Sequence, residues 1–366
     1  MRKVYGDTGK ISTRQVFFIS AMIAVVYASR FTLTLTATRE GPTAWLSPFI
    51  SVIVLALIFL IFNSLYRSFQ GMGPVEVLKM YFGKGLGMVF SAVLLIWMTF
   101  LIAFITRLYS ERAVTIFFPN ADINIFTFFF ALVAGFFVHF KPVIIARVGE
   151  IIFAIIFVIF IFSFLALFGL VDVNHLLPVA PKSVPTLLYC GIGCTGVWGF
   201  GLYTFFLTDH IDYNKVLKKR SYLYYSAFVL LFTVLIQVTT IGVLGASLTG
   251  KAILPFNDAI KVVTLFDTFN RLEVFFTVIV DLVDYVTIAF YVFIALSLLK
   301  GIFHLQDTKP FIWVYVLFIA VLSNAITKSY FELEPIVRNI LTLGNLAFML
   351  GLPFLMLVVG KLRKVI

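Results

Sequence analysis

Ten runs of about twenty predominantly apolar residues follow one another along this chain, each long enough to cross a bilayer as a helix. They occupy residues 15–37, 44–65, 85–109, 122–140, 143–170, 185–208, 221–248, 273–300, 310–328 and 335–360. No other feature limits the fold as strongly. A lipid interior offers backbone groups no hydrogen-bond partner, so spanning segments must satisfy themselves as helices or closed barrels. The composition agrees with helices in lipid. Hydrophobic residues make up 61% of the 366 residues and charged residues 12%, against about 25% charged in soluble domains. The 44 Phe suit a lipid-facing surface better than one water-soluble core. The expected class is an all-α polytopic membrane protein, residues 1–366 forming a single membrane domain whose bulk partner is the lipid bilayer.

Ten spans would put both termini on one side, and basic residues say which. Placing the N-terminus inside gathers most Lys and Arg into the cytoplasmic segments. These are the N-terminus, 66–84, 141–147, 209–220, 300–309 and the C-terminus; the loop Asp209–Arg220 (DHIDYNKVLKKR) alone carries Lys215, Lys218, Lys219 and Arg220. The net charge of +11 therefore reads as a topology signal, and no nucleic-acid partner is expected. The N-terminal MRKVYGDTGKISTRQ is basic, but the run after it lacks a small-residue cleavage site and is long enough to span, so no cleavable signal peptide is expected.

The loops are short, leaving no room for a soluble catalytic domain. Phosphate-binding glycine loops, zinc-ligand spacings and nucleophile elbows are missing from the sequence, so neither enzymatic activity nor a cofactor or metal is expected. His139, His175, His210 and His304 are scattered at span ends and read as interfacial. Cys190 and Cys194 stand one helical turn apart in an apolar stretch and read as packing. In the longest external loop, Thr249–Leu272, the apolar positions of PFNDAIKVVTLFDTF suit one face of a surface helix; a connector capping the bundle is the expected role.

Polar groups inside the spans carry the functional information. Arg30 sits midway along span 1 in YASRFTLTLT, where an arginine costs about 2.5–3.5 kcal/mol to insert. Thr32, Thr34 and Thr36 around it are poor helix formers. Span 6 reads YCGIGCTGVWGFGLY, with Gly191, Gly193, Gly196, Gly199 and Gly201 close together. Unwound backbone at membrane depth is tolerated where it lines a cavity. Irregular first spans in both five-span halves suggest a five-plus-five inverted repeat (LeuT-like) with broken spans 1 and 6, repeat 1 covering about 12–175 and repeat 2 about 180–366. Two polar-rich but continuous helices are the alternative. Span 8 offers Asp281 and Asp284 three residues apart on one helical face, the natural answer to Arg30, either as a clamp or as part of a ligand site. Arg107 with Glu111, and Arg147 with Glu150, have the spacing of structural pairs. The candidate small-molecule site comprises Tyr27, Ser29 and Arg30 of span 1, Thr195, Gly196, Trp198, Gly199 and Gly201 of span 6, and Asp284 and Thr287 of span 8.

Five motifs, in order along nearly the whole chain, carry a family resemblance. They are ISTRQVFFI (Ile11–Ile19), GPTAWLS (Gly41–Ser47), KPVIIARVGEII (Lys141–Ile152), VWGFGLYTFFL (Val197–Leu207) and FNRLEVFF (Phe269–Phe276). Together they resemble the spore germinant-receptor B subunits, permease-like relatives of the amino acid/polyamine/organocation transporters. Two departures stand where the resemblance would place the ligand: Tyr27-Ala28-Ser29-Arg30 replaces a Gly-Thr-Gly-like stretch, and Gly201 replaces a frequent glutamate. The resemblance implies a receptor in the inner spore membrane. It would bind a small nutrient germinant, an amino acid or sugar, and signal through A and C subunits. A secondary transporter of amino acids or related solutes fits the polar midplane equally well, and an ion or water channel less so.

Overall fold

The computed structural model describes residues 9–69, 71–118, 120–212, 219–263, 272–327 and 329–364. In chain order its helices are α1 (Thr13–Glu40), α2 (Ser47–Phe69), α3 (Pro74–Phe82), α4 (Lys84–Arg112) and α5 (Ile123–Val138). Then come α6 (Pro142–Phe168), α7 (Val184–Leu202), α8 (Lys219–Leu244), α9 (Ala246–Lys251) and α10 (Pro255–Lys261). The chain closes with α11 (Leu272–Phe303), α12 (Phe311–Ile326), α13 (Tyr330–Ile336), α14 (Thr342–Leu346) and α15 (Leu352–Leu362). Among the described residues, six helical stretches are long and apolar enough to cross a membrane: Thr13–Leu65, Lys84–Phe117, Pro142–Phe168, Ser221–Leu244, Leu272–Phe303 and Val337–Leu362. The shorter apolar helices α5 and α12 have 16 residues each. Leu60, Ile96, Leu165 and Val314 project outward from the bundle, where lipid rather than water meets them. The protein is an integral membrane protein.

Local chemistry sets the helix ends. Ser12 and Gln15 cap α1 reciprocally: Ser12 Oγ accepts from the Gln15 amide at 3.2 Å, and Gln15 Oε1 accepts from the Ser12 amide at 2.9 Å. The first stretch holds two expected spans because Gly41, at φ 66°, turns the chain out of α1 into a 3₁₀ turn (Gly41–Leu46) before α2. α7 occupies the centre, with α1, α2 and α14 packed on it, while α11 packs against α4, α5 and α6.

Two ends of the bundle are distinguished by their cross-links. At one, the strands β1 (Ile11–Ser12) and β2 (Ile211–Asp212) pair in parallel, Ile11 opposite Ile211. Thr208 Oγ1 donates to Met72 O at 2.6 Å, and Arg363 Nη1 to Tyr81 O at 2.9 Å, at the same end. At the other, Glu40 Oε2 accepts from the Lys182 amide at 3.1 Å, and His175 Nδ1 lies 2.9 Å from Gly242 O.

The structure departs from the sequence reading in three places. The expected breaks in spans 1 and 6 are absent: α1 is helical from Thr13 to Glu40 and α7 from Val184 to Leu202. In α1 the Thr32 and Thr36 hydroxyls donate to carbonyls one turn back, Ala28 O at 2.6 Å and Thr32 O at 2.7 Å, so the helix accommodates them. In α7 glycine serves close approach instead of unwinding. A Cβ at Gly201 would stand 2.1 Å from Ser20 O, and one at Gly196 2.6 Å from Thr342 O. That is the small-residue packing of membrane helices.

Irregular backbone lies elsewhere, in π-helical turns at Ala113–Phe117, Val337–Leu341 and Ala347–Gly351. The second difference is α3, a short amphipathic helix between the second and third apolar runs that the sequence reading left as loop. Third, the described part of the Thr249–Leu272 loop contains α10, which buries Phe256, Ala259 and Ile260 in place of lying on the surface. α9 lies against α1, where a Cβ on Gly250 would meet Thr38 at 3.1 Å. The rest of that expected helix (264–271) and part of the basic loop (213–218) lie outside the described residues.

Candidate functional site

Arg30 is answered by both acids of α11. Its Nη1 donates to Asp284 Oδ1 at 2.7 Å, and its Nη2 lies 3.4 Å from Asp281 Oδ1. A second guanidinium completes the cluster. Arg112, the last residue of α4, donates through Nη2 to Asp281 Oδ1 at 2.6 Å and also to Asp284 Oδ2. Tyr27 donates its hydroxyl to Asp284 Oδ1 at 3.1 Å, and its ring stacks on Phe200 of α7 at 4.4 Å. All four charges are buried, Asp284 completely and Arg112 to within 2%. Two cations and two carboxylates sum to zero, which lets so many charges share a low-dielectric interior. The cluster ties α1, the end of α4 and α11 together.

Arg112 was missed because a basic residue just past an expected span end at 109 reads as a loop anchor. In the structure α4 continues through Arg112, and the π-helical turn after it keeps that side chain inside. Its Nε and Nη1 have no hydrogen-bond partner among the described residues.

Arg30 also floors a cavity of about 370 Å³ that opens toward the end of the bundle carrying α9 and α13. Thr34 and Thr38 of α1, Leu108 of α4, Lys251 of α9, and Val337 and Arg338 of a π-helical turn contribute to its walls. Three of the lining side chains are cationic, and among the described residues none is acidic.

Of the ten candidate ligand residues, only Arg30 reaches this cavity. Tyr27 and Asp284 stand behind it in the charge cluster. Ser29 donates to Val26 O at 2.8 Å and Thr287 to Val283 O at 2.7 Å, both within their own helices. Thr195 is engaged by Gly191 O at 3.1 Å, and Trp198 donates to Thr233 Oγ1 of α8 at 3.1 Å. Gly196 and Gly199 face Thr342 and Asn345 of α14, and Gly201 faces Ser20. Spans 1 and 8 therefore meet through Tyr27, Arg30 and Asp284, while α7, unbroken, turns its candidate residues to packing and bonds with α1, α8 and α14. A chain of bonds joins α4, α7 and α14: Trp97 Nε1 to Tyr203 at 2.5 Å, Tyr203 to Asn345 Oδ1 at 2.9 Å, and Asn345 Nδ2 to Gly196 O at 2.9 Å.

Arg107 donates to Glu111 Oε1 through Nε at 3.0 Å and Nη2 at 2.7 Å, and its Nη1 reaches Asn324 of α12 at 3.1 Å. Glu150 takes its bonds from another helix, from Arg14 at 3.3 Å and Gln15 at 3.0 Å. Cys190 and Cys194 are buried free thiols. No group of three or more His, Cys, Asp or Glu suited to a metal ion occurs among the described residues.

Comparison with known proteins places this architecture. The family model described as "Spore germination protein" matches residues 10–331. The chain belongs to the spore germination protein family. Spore germination protein KB of Bacillus subtilis (strain 168) is 20% identical over 363 residues, covering 98% of this chain and 96% of that protein. Among solved structures, Mhp1 superposes with a TM-score of 0.58 at 12% identity, covering 94% of this chain and 77% of Mhp1. Mhp1 is a nucleobase-cation-symport-1 family transporter, and that structure is a closed conformation with bromovinylhydantoin bound. The likeness shows that this chain shares the fold of Mhp1.

Proposed function

We propose that this chain is the membrane subunit of a germinant receptor, binding a small nutrient of the amino acid or sugar class and signalling germination. The observation that carries the proposal is the cavity of about 370 Å³ floored by Arg30, a residue whose charge is already neutralised from behind by Asp281 and Asp284. Among the described residues the lining carries cations and no acid, which favours a ligand carrying a carboxylate, bound by Arg30 with Lys251 above. Tyr27, Asp284 and Arg112 then position the guanidinium without touching the ligand.

In this proposal α1, α2, α4 to α8, α11, α12 and the run from α13 to α15 are ten spans. They divide into inverted halves of about 12–175 and 180–366. The extensive packing of α1 on α7 and of α4 on α11 supports that division, as does the Mhp1-like fold. Both termini are cytoplasmic, because the end joined by β1, β2 and Arg363 is the basic one, and the cavity opens outward. The subunit works in the inner spore membrane with A and C partners. Spores lacking this chain, tested against a nutrient panel, should lose the response to one nutrient set only. An unchanged response to every nutrient defeats the proposal. A secondary transporter is the second reading, favoured by the likeness to Mhp1; ligand-dependent uptake by the purified protein in vesicles would establish it.

A further inference from the structure

Away from the charge cluster, a second cavity of about 330 Å³ opens on the flank of the bundle, between α1, α6 and α8. Its walls are two facing helical stripes. Arg14, Phe17 and Ala21 line it from α1, and Ser221, Tyr224 and Phe228 from α8, with Phe153 of α6 at the back. Each stripe repeats every three or four residues, so the groove runs along the helix axes. Ala21 is the small residue that leaves the space. Phe18 stacks on Phe153 at 4.8 Å, and Phe153 meets Phe228 at 5.6 Å, forming a continuous aromatic floor. Tyr225, the polar group deepest in the groove, is bonded inward to Ser20 at 3.0 Å, so the deep part presents only ring faces.

Polarity changes along the length. The deep part is aromatic, while Thr13, Arg14 and Ser221 gather at the shallow end, beside the β1–β2 ribbon. The Arg14 side chain is 75% exposed, lies over the Phe18 ring at 5.3 Å and is steadied by Glu150 at 3.3 Å. An aromatic groove with an exposed arginine at its mouth matches one class of molecule in its change of polarity. We infer that this groove is a binding site for an anionic phospholipid. An acyl chain lies along the ring faces, and the phosphate sits at Arg14 and the Ser221 hydroxyl. Glu150 shares the guanidinium and keeps it at the mouth.

The test uses the full chain, purified in detergent and equilibrated with equal phosphatidylglycerol and phosphatidylcholine of matched chains, with retained lipid read by native mass spectrometry. The wild type should retain phosphatidylglycerol at least fivefold over phosphatidylcholine. Arg14→Gln should reduce that preference to near parity while leaving total retained lipid within twofold. Tyr224→Ala, at a position 69% exposed and therefore not needed for folding, should lower both lipids together. Parity in the wild type overturns the inference, as does a preference unchanged in Arg14→Gln or retention unchanged in Tyr224→Ala. Displacement of phosphatidylglycerol by millimolar glycerol phosphate would identify a soluble-anion site and overturn it equally.

Discussion

Replacing Arg30 with Gln removes one of two cations facing Asp281 and Asp284, and the cluster passes from neutral to a formal charge of −1. Asp284→Asn does the reverse: two guanidinium groups must share Asp281 Oδ1, which lies 2.6 Å from Arg112 and 3.4 Å from Arg30. Breaking a buried pair from one side typically costs about 3–5 kcal/mol, two to almost four powers of ten in the folded-to-unfolded ratio. A marginally stable protein tolerates little of that. The double variant Arg30→Gln/Asp284→Asn is neutral again and keeps the Arg112–Asp281 pair whole, so its cost should fall to about 1–2 kcal/mol. Asp281→Asn should be milder than Asp284→Asn, because Asp284 accepts from Arg30, Arg112 and Tyr27 while Asp281 faces the two arginines alone. The assay is abundance in the membrane fraction together with the thermal unfolding midpoint in detergent. Both single variants should fall sharply and the double should recover most of the loss. A double variant that loses the sum of the two single losses would refute the reasoning, and so would Asp281→Asn proving the more damaging change. Germinant response should stay lost in the recovered double, since the cavity has lost its floor.

Other expectations follow from the same geometry. Lys251→Glu places a carboxylate in the cavity wall and should raise the nutrient concentration for half-maximal germination at least about tenfold, given charge interactions of about 1–4 kcal/mol at contact distance; an unchanged dose response argues against an anionic ligand. Gly201→Ala drives a methyl into Ser20 O and should cost about 1–3 kcal/mol of stability, whereas Gly169→Ala, with nothing within 4 Å, should be neutral in the same unfolding assay. Single cysteines at Ser183 and Lys218, in a background with Cys190 and Cys194 replaced, should react with an impermeant thiol reagent from opposite sides; labelling from one side contradicts ten spans. Tyr203→Phe removes the link between Trp97 and Asn345 and should lower the unfolding midpoint, since it leaves the buried Asn345 Oδ1 and the half-buried Trp97 Nε1 without that partner.

The membrane character was legible because twenty-residue apolar runs admit few other outcomes. The contact between Arg30 and the acids of α11 was legible for a related reason: charges at mid-depth are so few that each points to its partner. Arg112 was not, because its burial depends on how far α4 runs beyond the apolar stretch, and hydropathy says little about the final turn. The glycines of α7 misled for a different reason. Glycine density permits both an unwound helix and a tightly packed one, and the choice rests with Ser20, Leu35 and Thr342 on other helices, which come no closer in the sequence than about 140 residues. The π-helical turns of the last span left no periodic signature either, although Pro335 and Pro353 sit beside them.

The charge cluster also sets a timetable for biosynthesis. Arg30 and Asp284 are separated by 254 positions, so α1 reaches the membrane long before its counter-charge exists. At about 5–20 residues per second, typical of translation, the ribosome needs some ten seconds to nearly a minute to deliver α11. Arg112 joins during that interval and adds a second cation, not relief. Until α11 arrives, α1 and the end of α4 must be shielded by the insertion machinery, by snorkelling to a leaflet, or by water drawn into the bilayer. Closure of the cluster is therefore a late assembly event. A chain halted before Asp281 carries Arg30 and Arg112 with neither acid of α11 to answer them.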